Sequence, residues 1–214
     1  VAACCEAMRR STSINVTVKC RIGVDDQDPQ QILPEFLSHI SNSGVTRVII
    51  HARKAILKGL SPKANREIPP LDYGLVFKMK EKFPNLHISL NGGVTNLKIA
   101  NDLLERGVDG VMIGRSAYQK PAEVLSDVDK NIFDGTSKRT PFDVANIMRD
   151  YINGYCDNGG NPHHVTRHML GLFHGLPGAK IWKQYLSDRS SSKNLDFYDE
   201  ALMAIDDLKH RSAA

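Results

Sequence analysis

The stretch VTVKCRIG, residues 16–23, has the residue alternation of a β-strand. Its valines and its cysteine lie on one face, while Thr17, Lys19 and Arg21 lie on the other. In an edge strand, the charged face would simply meet water. In a parallel sheet that is covered on both faces, charged side chains are rare. The strand therefore either forms a sheet edge or carries cations into a functional cavity.

The surrounding sequence places this strand in an α/β fold. Short apolar runs predict four strands, at residues 16–21, 47–51, 87–91 and 109–114. Segments with helical apolar spacing follow the strands, and one such segment precedes the first of them. These segments predict helices at residues 1–10, 29–42, 75–83 and 97–106. Strands that alternate with helices indicate a parallel sheet.

Polar side chains mark the carboxyl ends of three predicted strands. Lys19, His51 and Asn91 each lie near such an end, on the face opposite the larger aliphatic residues. In (β/α) barrels the carboxyl ends of the strands carry the active site. An eight-stranded barrel needs about 250 residues, so the four strand–helix units predict the C-terminal half of a (β/α)8 TIM barrel. We therefore expect the cations of the first strand to line a cavity, and the chain to be the C-terminal part of a longer protein.

The predicted strands end before residue 134, and a small all-helical region follows. Its apolar spacing predicts helices at residues 141–155, 163–174, 177–186 and 196–210, which turns rich in Asn, Gly and Pro separate. We predict two domains, a partial barrel at residues 1–134 and a helical domain at residues 135–214.

Two glycine-bearing segments end successive strands and predict a phosphate site. Asn91, Gly92 and Gly93 follow the third strand, and Gly114 and Arg115 follow the fourth. Glycines let the backbone approach a ligand closely and leave amide groups available to an anion. An arginine adds a planar fork of donors that suits phosphate oxygens. Loops after the last two strands form the recurrent phosphate site of TIM barrels.

Lys19 and His51 add chemistry to the same cavity. A cavity lysine can form a Schiff base, or it can place a fixed positive charge beside an electron-rich ring. A histidine at a strand end can hydrogen-bond a ligand or act as an acid or base near neutral pH. Together with a phosphate site, these residues suit a phosphorylated cofactor such as FMN and equally suit a sugar-phosphate substrate. At this point both alternatives remain open.

Composition limits the classes of protein to consider. The 214 residues carry a formal charge of +4 and contain no run of 18 apolar residues that could span a membrane. The four cysteines have neither metal-ligand spacing nor a disulfide framework, which predicts reduced thiols in a cytoplasmic protein without a metal site. Basic residues concentrate without acids at residues 53–66 and 163–186. Such clusters are typical of contacts with nucleic acid.

Five segments resemble the A subfamily of the tRNA-dihydrouridine synthases. Four of them are VTVKCRIGVDDQD at residues 16–28, IIHARKAILKGLSPKANREIPPLDY at 49–73, SLNGGV at 89–94 and DGVMIGRSAYQKP at 109–121. The fifth, VTRHMLGLFHGLPGAKIWKQYL at residues 165–186, resembles the C-terminal domain of that subfamily. The resemblance implies an FMN-dependent reductase that uses NADPH to saturate the C5–C6 bond of uridines in the tRNA D-loop.

The resemblance also assigns roles to individual residues. It implies that Lys19 balances negative charge on the reduced flavin, and that His51 of the HAR segment contacts FMN. The residues that match its phosphate-binding segments are Asn91, Gly92, Gly93, Gly114 and Arg115. Lys63 and Arg66 match basic positions of the tRNA-binding signature of the subfamily. Lys180 and Lys183 resemble a second basic pair, although arginines are usual there and lysine lacks their bidentate geometry.

One departure from the family concerns catalysis. The family's proton-donating cysteine lies in an NxGCP loop, and no such motif occurs in these 214 residues. We therefore assign no catalytic residue to this chain and expect it to be inactive by itself, while the intact protein is expected to be a monomer. Three other interpretations remain: a Schiff-base aldolase that uses Lys19, a noncatalytic RNA-binding fragment and a dihydroorotate dehydrogenase. The last would have no use for the basic segment at residues 53–66.

Overall fold

The computed structural model of the protein describes residues 1–188 and 195–213. The chain divides into two compact units. The first consists of Val1–Val94 and Lys98–Gly114, and the second consists of Thr95–Leu97 and Arg115–Ala214. The predicted domain boundary at residue 134 stays a prediction.

The first unit contains a four-stranded sheet with all strands parallel and in the order β1-β2-β3-β4. Its elements are α1 (Ala2–Ser11), β1 (Val18–Arg21), α2 (Pro29–Asn42), β2 (Arg47–His51), α3 (Tyr73–Lys82), β3 (His87–Asn91), α4 (Leu97–Glu105) and β4 (Gly110–Met112). A sheet built from sequential strand–helix units is the arrangement found in part of a (β/α)8 barrel. The predicted α/β class and partial barrel are confirmed.

One face of the sheet forms the core of the first unit. Val48, Ile50, Ile88 and Leu90 are completely buried there. They pack with apolar residues of the helices into one cluster, to which α2 contributes Leu33, Leu37 and Ile40. Because side chains alternate along a strand, Lys19, Arg21, His51 and Asn91 lie together on the opposite face.

Capping residues set the start of α2 and α3. The Asp28 carboxylate accepts a hydrogen bond of 2.9 Å from the Gln30 amide, and Pro29 occupies the first turn, where a missing N–H costs nothing. Asp72 accepts a bond of 2.8 Å from the Leu75 amide in the same way. This cap places the start of α3 at Tyr73, two residues before the predicted start.

The second unit is helical in the part that the structure describes. Its helices are α5 (Arg115–Gln119), α6 (Pro121–Leu125), α7 (Val128–Ile132), α8 (Pro141–Asp157), α9 (His163–Thr166), α10 (Ala179–Asp188) and α11 (Asp196–Ala213). Phe173, Trp182 and Tyr198 are completely buried at its centre. Their rings meet edge to face, with centroid distances of 4.8 Å for Phe173–Trp182 and 5.3 Å for Trp182–Tyr198. This aromatic cluster holds α10, α11 and the preceding turns together.

The helix predicted at residues 163–174 is wrong beyond Thr166, where α9 ends. Turns follow, and two tertiary contacts explain them. The Met169 carbonyl accepts a hydrogen bond of 2.9 Å from the Trp182 indole nitrogen. Gly171 lies so close to the backbone of Gln119 that a Cβ atom would stand 2.2 Å from its carbonyl oxygen. Packing within the unit therefore overrides the helical pattern.

No helix in the described part of the chain is both long enough and apolar enough to cross a membrane.

Candidate functional site

The polar residues on the sheet face opposite the core form a row along the carboxyl edge of the sheet. Arg21 is paired in register with His51, His51 with Asn91, and Asn91 with Met112. Lys19 lies two residues earlier, in register with Ile49. His51 is only 8% exposed, whereas Lys19 is exposed. The structure thus places His51 and Asn91 side by side at the carboxyl edge. Lys19 lies on the same face of the sheet, on β1, two residues further from that edge.

The two cations of β1 have different surroundings. Arg21 Nη1 donates to the carbonyls of Lys54 and Asn65, at 2.7 Å and 2.9 Å. The side chain of Lys19 makes no hydrogen bond or ion pair within the described part of the chain. The expectation that both cations line a functional cavity stays a prediction, and the structure adds that loop carbonyls hold the guanidinium of Arg21.

The electrostatics of Lys19 favour an anionic neighbour. Partial desolvation of the ammonium lowers its pKa even though much of the side chain is exposed, and the positive charge of Arg21 lowers the pKa further. A negative group beside the ammonium would raise the pKa again and stabilise the charged form. Lys19 is therefore suited to a ligand that carries or acquires negative charge.

The turn after β3 is closely packed against its neighbours. Asn91 Nδ2 donates to the Met112 carbonyl at 2.8 Å and so joins β3 to β4. The Tyr73 hydroxyl donates to the Gly92 carbonyl at 2.6 Å. Gly92 and Gly93 have φ values of +108° and +72°. A Cβ atom on Gly92 would lie 3.0 Å from the His51 ring, and one on Gly93 would lie 2.6 Å from Leu71 Cδ1. The positive φ values favour glycine at both positions, and neighbouring side chains would have to move to admit a Cβ atom.

Gly114 and Arg115 follow β4. Gly114 is exposed, and no atom lies within 4 Å of the place where its Cβ would stand. Arg115 is the exposed first residue of α5, in the second unit. The phosphate role of both residues stays a prediction.

Cys20 has an unreactive thiol, although it is adjacent to Lys19 in sequence. Burial raises the pKa of its thiol to about 12. A thiol with such a pKa contributes almost no thiolate at neutral pH, so it is a poor nucleophile. The structure therefore gives no reason to promote Cys20 to a catalytic role.

A basic loop, residues 53–69, connects β2 to α3. It contains the predicted RNA-contact residues Lys63 and Arg66, which are both exposed. Lys63 directly precedes a short 3₁₀ turn, Ala64–Arg66, and Arg66 is the last residue of that turn. Within the described residues, neither side chain has a hydrogen bond or an ion pair. Their charges are therefore available to a partner.

The second predicted basic pair lies on α10. Lys180 and Lys183 are exposed, whereas Trp182 and Leu186 of the same helix are completely buried. Residues three apart are neighbours on a helix surface, so the two ammonium groups project from one face. No group of His, Cys, Asp or Glu suited to a metal ion occurs in residues 1–188 and 195–213.

Sequence patterns missed the contacts of two residues, Asn65 in the basic loop and Arg21 at the end of β1. Asn65 exchanges hydrogen bonds with the Ile56 backbone, and Arg21 spans two loop carbonyls. Their partners are backbone groups, which every residue possesses, so the sequence carries no signal for either contact. The sequence showed Arg21 only as a charged residue of a predicted strand.

The sequence profile of the dihydrouridine synthase family matches residues 1–208. The tRNA-dihydrouridine(20/20a) synthase of Salmonella typhi is 48% identical over 213 residues, which are 98% of this chain and 64% of that protein. The protein of the same name from Escherichia coli (strain K12) is 48% identical over 198 residues, 92% of this chain and 57% of that protein. The one from Pasteurella multocida (strain Pm70) is 45% identical over 205 residues, 94% and 62% of the two chains. The chain thus spans about three-fifths of the length of these curated relatives.

Proposed function

Because the chain belongs to the dihydrouridine synthase family, we propose that the full-length protein reduces uridine to 5,6-dihydrouridine in the D-loop of tRNA. The observation that carries this proposal is the 48% identity to tRNA-dihydrouridine(20/20a) synthases across 98% of the chain. We propose FMN as the bound cofactor and NADPH as the reductant. Since its substrate would be tRNA, we place its activity in the cytoplasm and expect the enzyme to act as a monomer.

The residues of the first unit fit FMN. Lys19 offers a positive charge in a position where an anionic partner would restore its lowered pKa. His51 packs against the glycine turn, so it can contact the same ligand as the turn. The backbone of Asn91, Gly92 and Gly93 can approach a phosphate closely because no Cβ atoms intervene. Gly114, the last residue of this unit, would add an open approach. The phosphate role that the resemblance gives to Arg115 stays a prediction.

When bound, FMN supplies the hydride for the uracil ring, and the protein supplies orientation and electrostatics. Lys19 would stabilise negative charge on the reduced cofactor, and His51 would orient it by hydrogen bonding. The target base must leave its stack to reach a buried cofactor. None of the four cysteines lies in an NxGCP context. We therefore assign no proton donor within these 214 residues and expect the isolated chain to be inactive.

The proposed partner is tRNA, which the exposed cations would hold through its phosphates. Lys63 and Arg66 project from the basic loop, and Lys180 and Lys183 project from α10. Folded RNA is recognised largely through its backbone and shape. Four cations in two pairs suit such a target better than they suit a small soluble substrate.

Two other interpretations lead to different results with the purified protein. A Schiff-base aldolase would trap a sugar phosphate covalently on Lys19 under borohydride, whereas a flavoprotein would be yellow as isolated. Membership in a reductase family favours the flavin. A noncatalytic RNA-binding role for the isolated chain would require tight tRNA binding that persists after FMN is removed.

Replacing both Lys63 and Arg66 with alanine in the full-length protein is expected to weaken tRNA binding. Losing two phosphate contacts should reduce affinity about tenfold or more and lower the salt slope of binding by about 2. Flavin reduction by NADPH should stay near the wild-type rate. Filter binding across a salt series and stopped-flow absorbance measure the two effects.

The matched control removes two other exposed charges, through Lys78→Ala on α3 with Lys98→Ala on α4. It should leave tRNA affinity within about twofold, since long-range charge effects are screened. If flavin reduction collapsed in the Lys63/Arg66 variant, those residues would not be RNA contacts.

Deleting the gene in its source organism tests the proposed function. Mass spectrometry of its tRNA should show that dihydrouridine is lost from D-loop positions and that the wild-type gene restores it. Unchanged dihydrouridine at every D-loop position would count against the proposal.

A further inference from the structure

The first half of the basic loop is held to the segment after β1. Val24 and Ala55 form a parallel bridge beyond the ends of β1 and β2. The Ala55 amide donates to the Gly23 carbonyl at 2.9 Å, and the Asp25 amide donates to the Ala55 carbonyl at 2.8 Å. Asp25 Oδ1 then accepts a bond of 2.8 Å from the Leu57 amide. The backbone of this half therefore extends the parallel pairing of β1 and β2 by one bridge.

The second half of the loop is a compact turn that aligns its two exposed cations. The Ala64 amide donates to Ser61 Oγ at 3.1 Å, and the Asn65 amide donates to the Ser61 carbonyl at 2.9 Å. The Arg66 amide donates to the Lys63 carbonyl at 3.0 Å. In a 3₁₀ turn, side chains three positions apart nearly eclipse each other. Lys63 and Arg66 therefore leave the turn on the same side.

Arg21 and Asn65 join the two halves of the loop. Arg21 Nη1 binds one carbonyl in each half, Lys54 at 2.7 Å and Asn65 at 2.9 Å. Asn65 Oδ1 accepts a bond of 2.9 Å from the Ile56 amide, and Asn65 Nδ2 donates to the Ile56 carbonyl. The Asn65 side chain thus satisfies both backbone groups of Ile56, as a paired strand would. These bonds tie the first half of the loop to Asn65, which lies between Lys63 and Arg66 in sequence.

The loop also concentrates positive charge. Burial lowers the pKa of Arg21, and the charges of Arg53 and Arg66 lower it further. None of these three arginines forms an ion pair in the part of the chain that the structure describes. Clustered like charges oppose each other, and an anionic partner relieves that repulsion. A polyanion is therefore the kind of partner that this surface fits.

We infer that Arg21 and Asn65 are positioning residues that preform the basic loop, so that Lys63 and Arg66 meet adjacent phosphates of a folded RNA together. This inference rests on the proposed function, since it takes tRNA as the RNA. Preforming the loop before binding removes the ordering cost that a flexible loop would incur on contact with RNA. Neither residue needs to touch the RNA for this effect.

A double-mutant cycle in the full-length protein tests the inference, with an unmodified tRNA transcript as the probe. Asn65→Ala alters no charge, so a loss of affinity in this variant cannot come from a lost ion pair with a phosphate. Alone, it is expected to weaken tRNA binding about fivefold. In the background of Lys63→Ala with Arg66→Ala, the same change should cost less than about twofold, because the cations it positions are gone. The salt slope of Asn65→Ala should match that of the wild type, unlike the slope of the charge variants.

Circular dichroism establishes that each variant is folded. Should Asn65→Ala fail to fold, Arg21→Lys completes the cycle, because it retains the charge while its single ammonium cannot replace the guanidinium across both carbonyls. An equal loss of affinity in both backgrounds, or no loss in the wild-type background, would overturn the inference while leaving the proposed function intact. Failure of the wild-type protein to bind tRNA would overturn both.

Discussion

Full-length protein carrying Gly93→Ala is expected to be isolated with about one-tenth of the wild-type FMN content, or less. The added methyl group would stand 2.6 Å from Leu71 Cδ1 and 2.9 Å from the Tyr73 hydroxyl. It would also force an L residue to a φ of +72°, which by itself costs about 1–2 kcal/mol. Either the turn opens or Tyr73 moves and loses its bond to the Gly92 carbonyl. Both movements displace the backbone that we assign to the phosphate.

A second glycine separates loss of the cofactor from general strain. Gly107 has a φ of +101°, but no atom lies within 4 Å of its Cβ position. It lies between α4 and β4, at the edge of the sheet opposite the carboxyl ends of the strands. Gly107→Ala should therefore lower stability by about 1 kcal/mol without changing FMN content per folded molecule. The absorbance of flavin released from purified protein measures both variants. Wild-type FMN content in Gly93→Ala would contradict the assignment of the turn.

Trp182→Ala is expected to destabilise the second unit by about 3–5 kcal/mol. Trp182 is completely buried between Phe173 and Tyr198, and its indole N–H binds the Met169 carbonyl at 2.9 Å. Removing the side chain leaves a large cavity and a carbonyl without its buried donor. Differential scanning calorimetry of the full-length protein should show the transition of this unit at a much lower temperature.

An exposed aromatic residue of the same unit provides the matched control. Tyr151 on α8 is 59% exposed, and Tyr151→Ala should change stability by no more than about 0.5 kcal/mol. A loss below about 1 kcal/mol for Trp182→Ala would show that the aromatic cluster is not the centre of the unit.

Local signals were sufficient to predict most of the first unit. β2, β3 and α2 have their predicted bounds, because alternation, the Asp28 cap and Pro29 act within a few residues of sequence. The turns after Thr166 were not predictable in this way. They depend on the Met169 carbonyl, which the indole of a residue 13 positions later occupies, and on Gly171, which needs the backbone of Gln119 beside it. A periodic pattern carries no information about such contacts.

The candidate site was predictable where side-chain chemistry marks it. Lys19, His51 and Asn91 stood out because polar residues at strand ends are unusual in a parallel sheet. The register adds that His51 and Asn91 are direct neighbours, which the sequence alone could not give. Arg21 was visible only as a charge, and its two carbonyl partners lie 33 and 44 residues away in sequence. Asn65 gave no signal, because both hydrogen bonds of its side chain are with the backbone of Ile56.

The most direct test of the central claim is a reaction with purified full-length protein, NADPH and an unmodified tRNA transcript. Mass spectrometry of the digested tRNA should show that uridine in the D-loop has gained two hydrogens, and only when NADPH is present. A transcript that stays fully unmodified, with flavin-loaded protein and NADPH both in excess, would contradict the account.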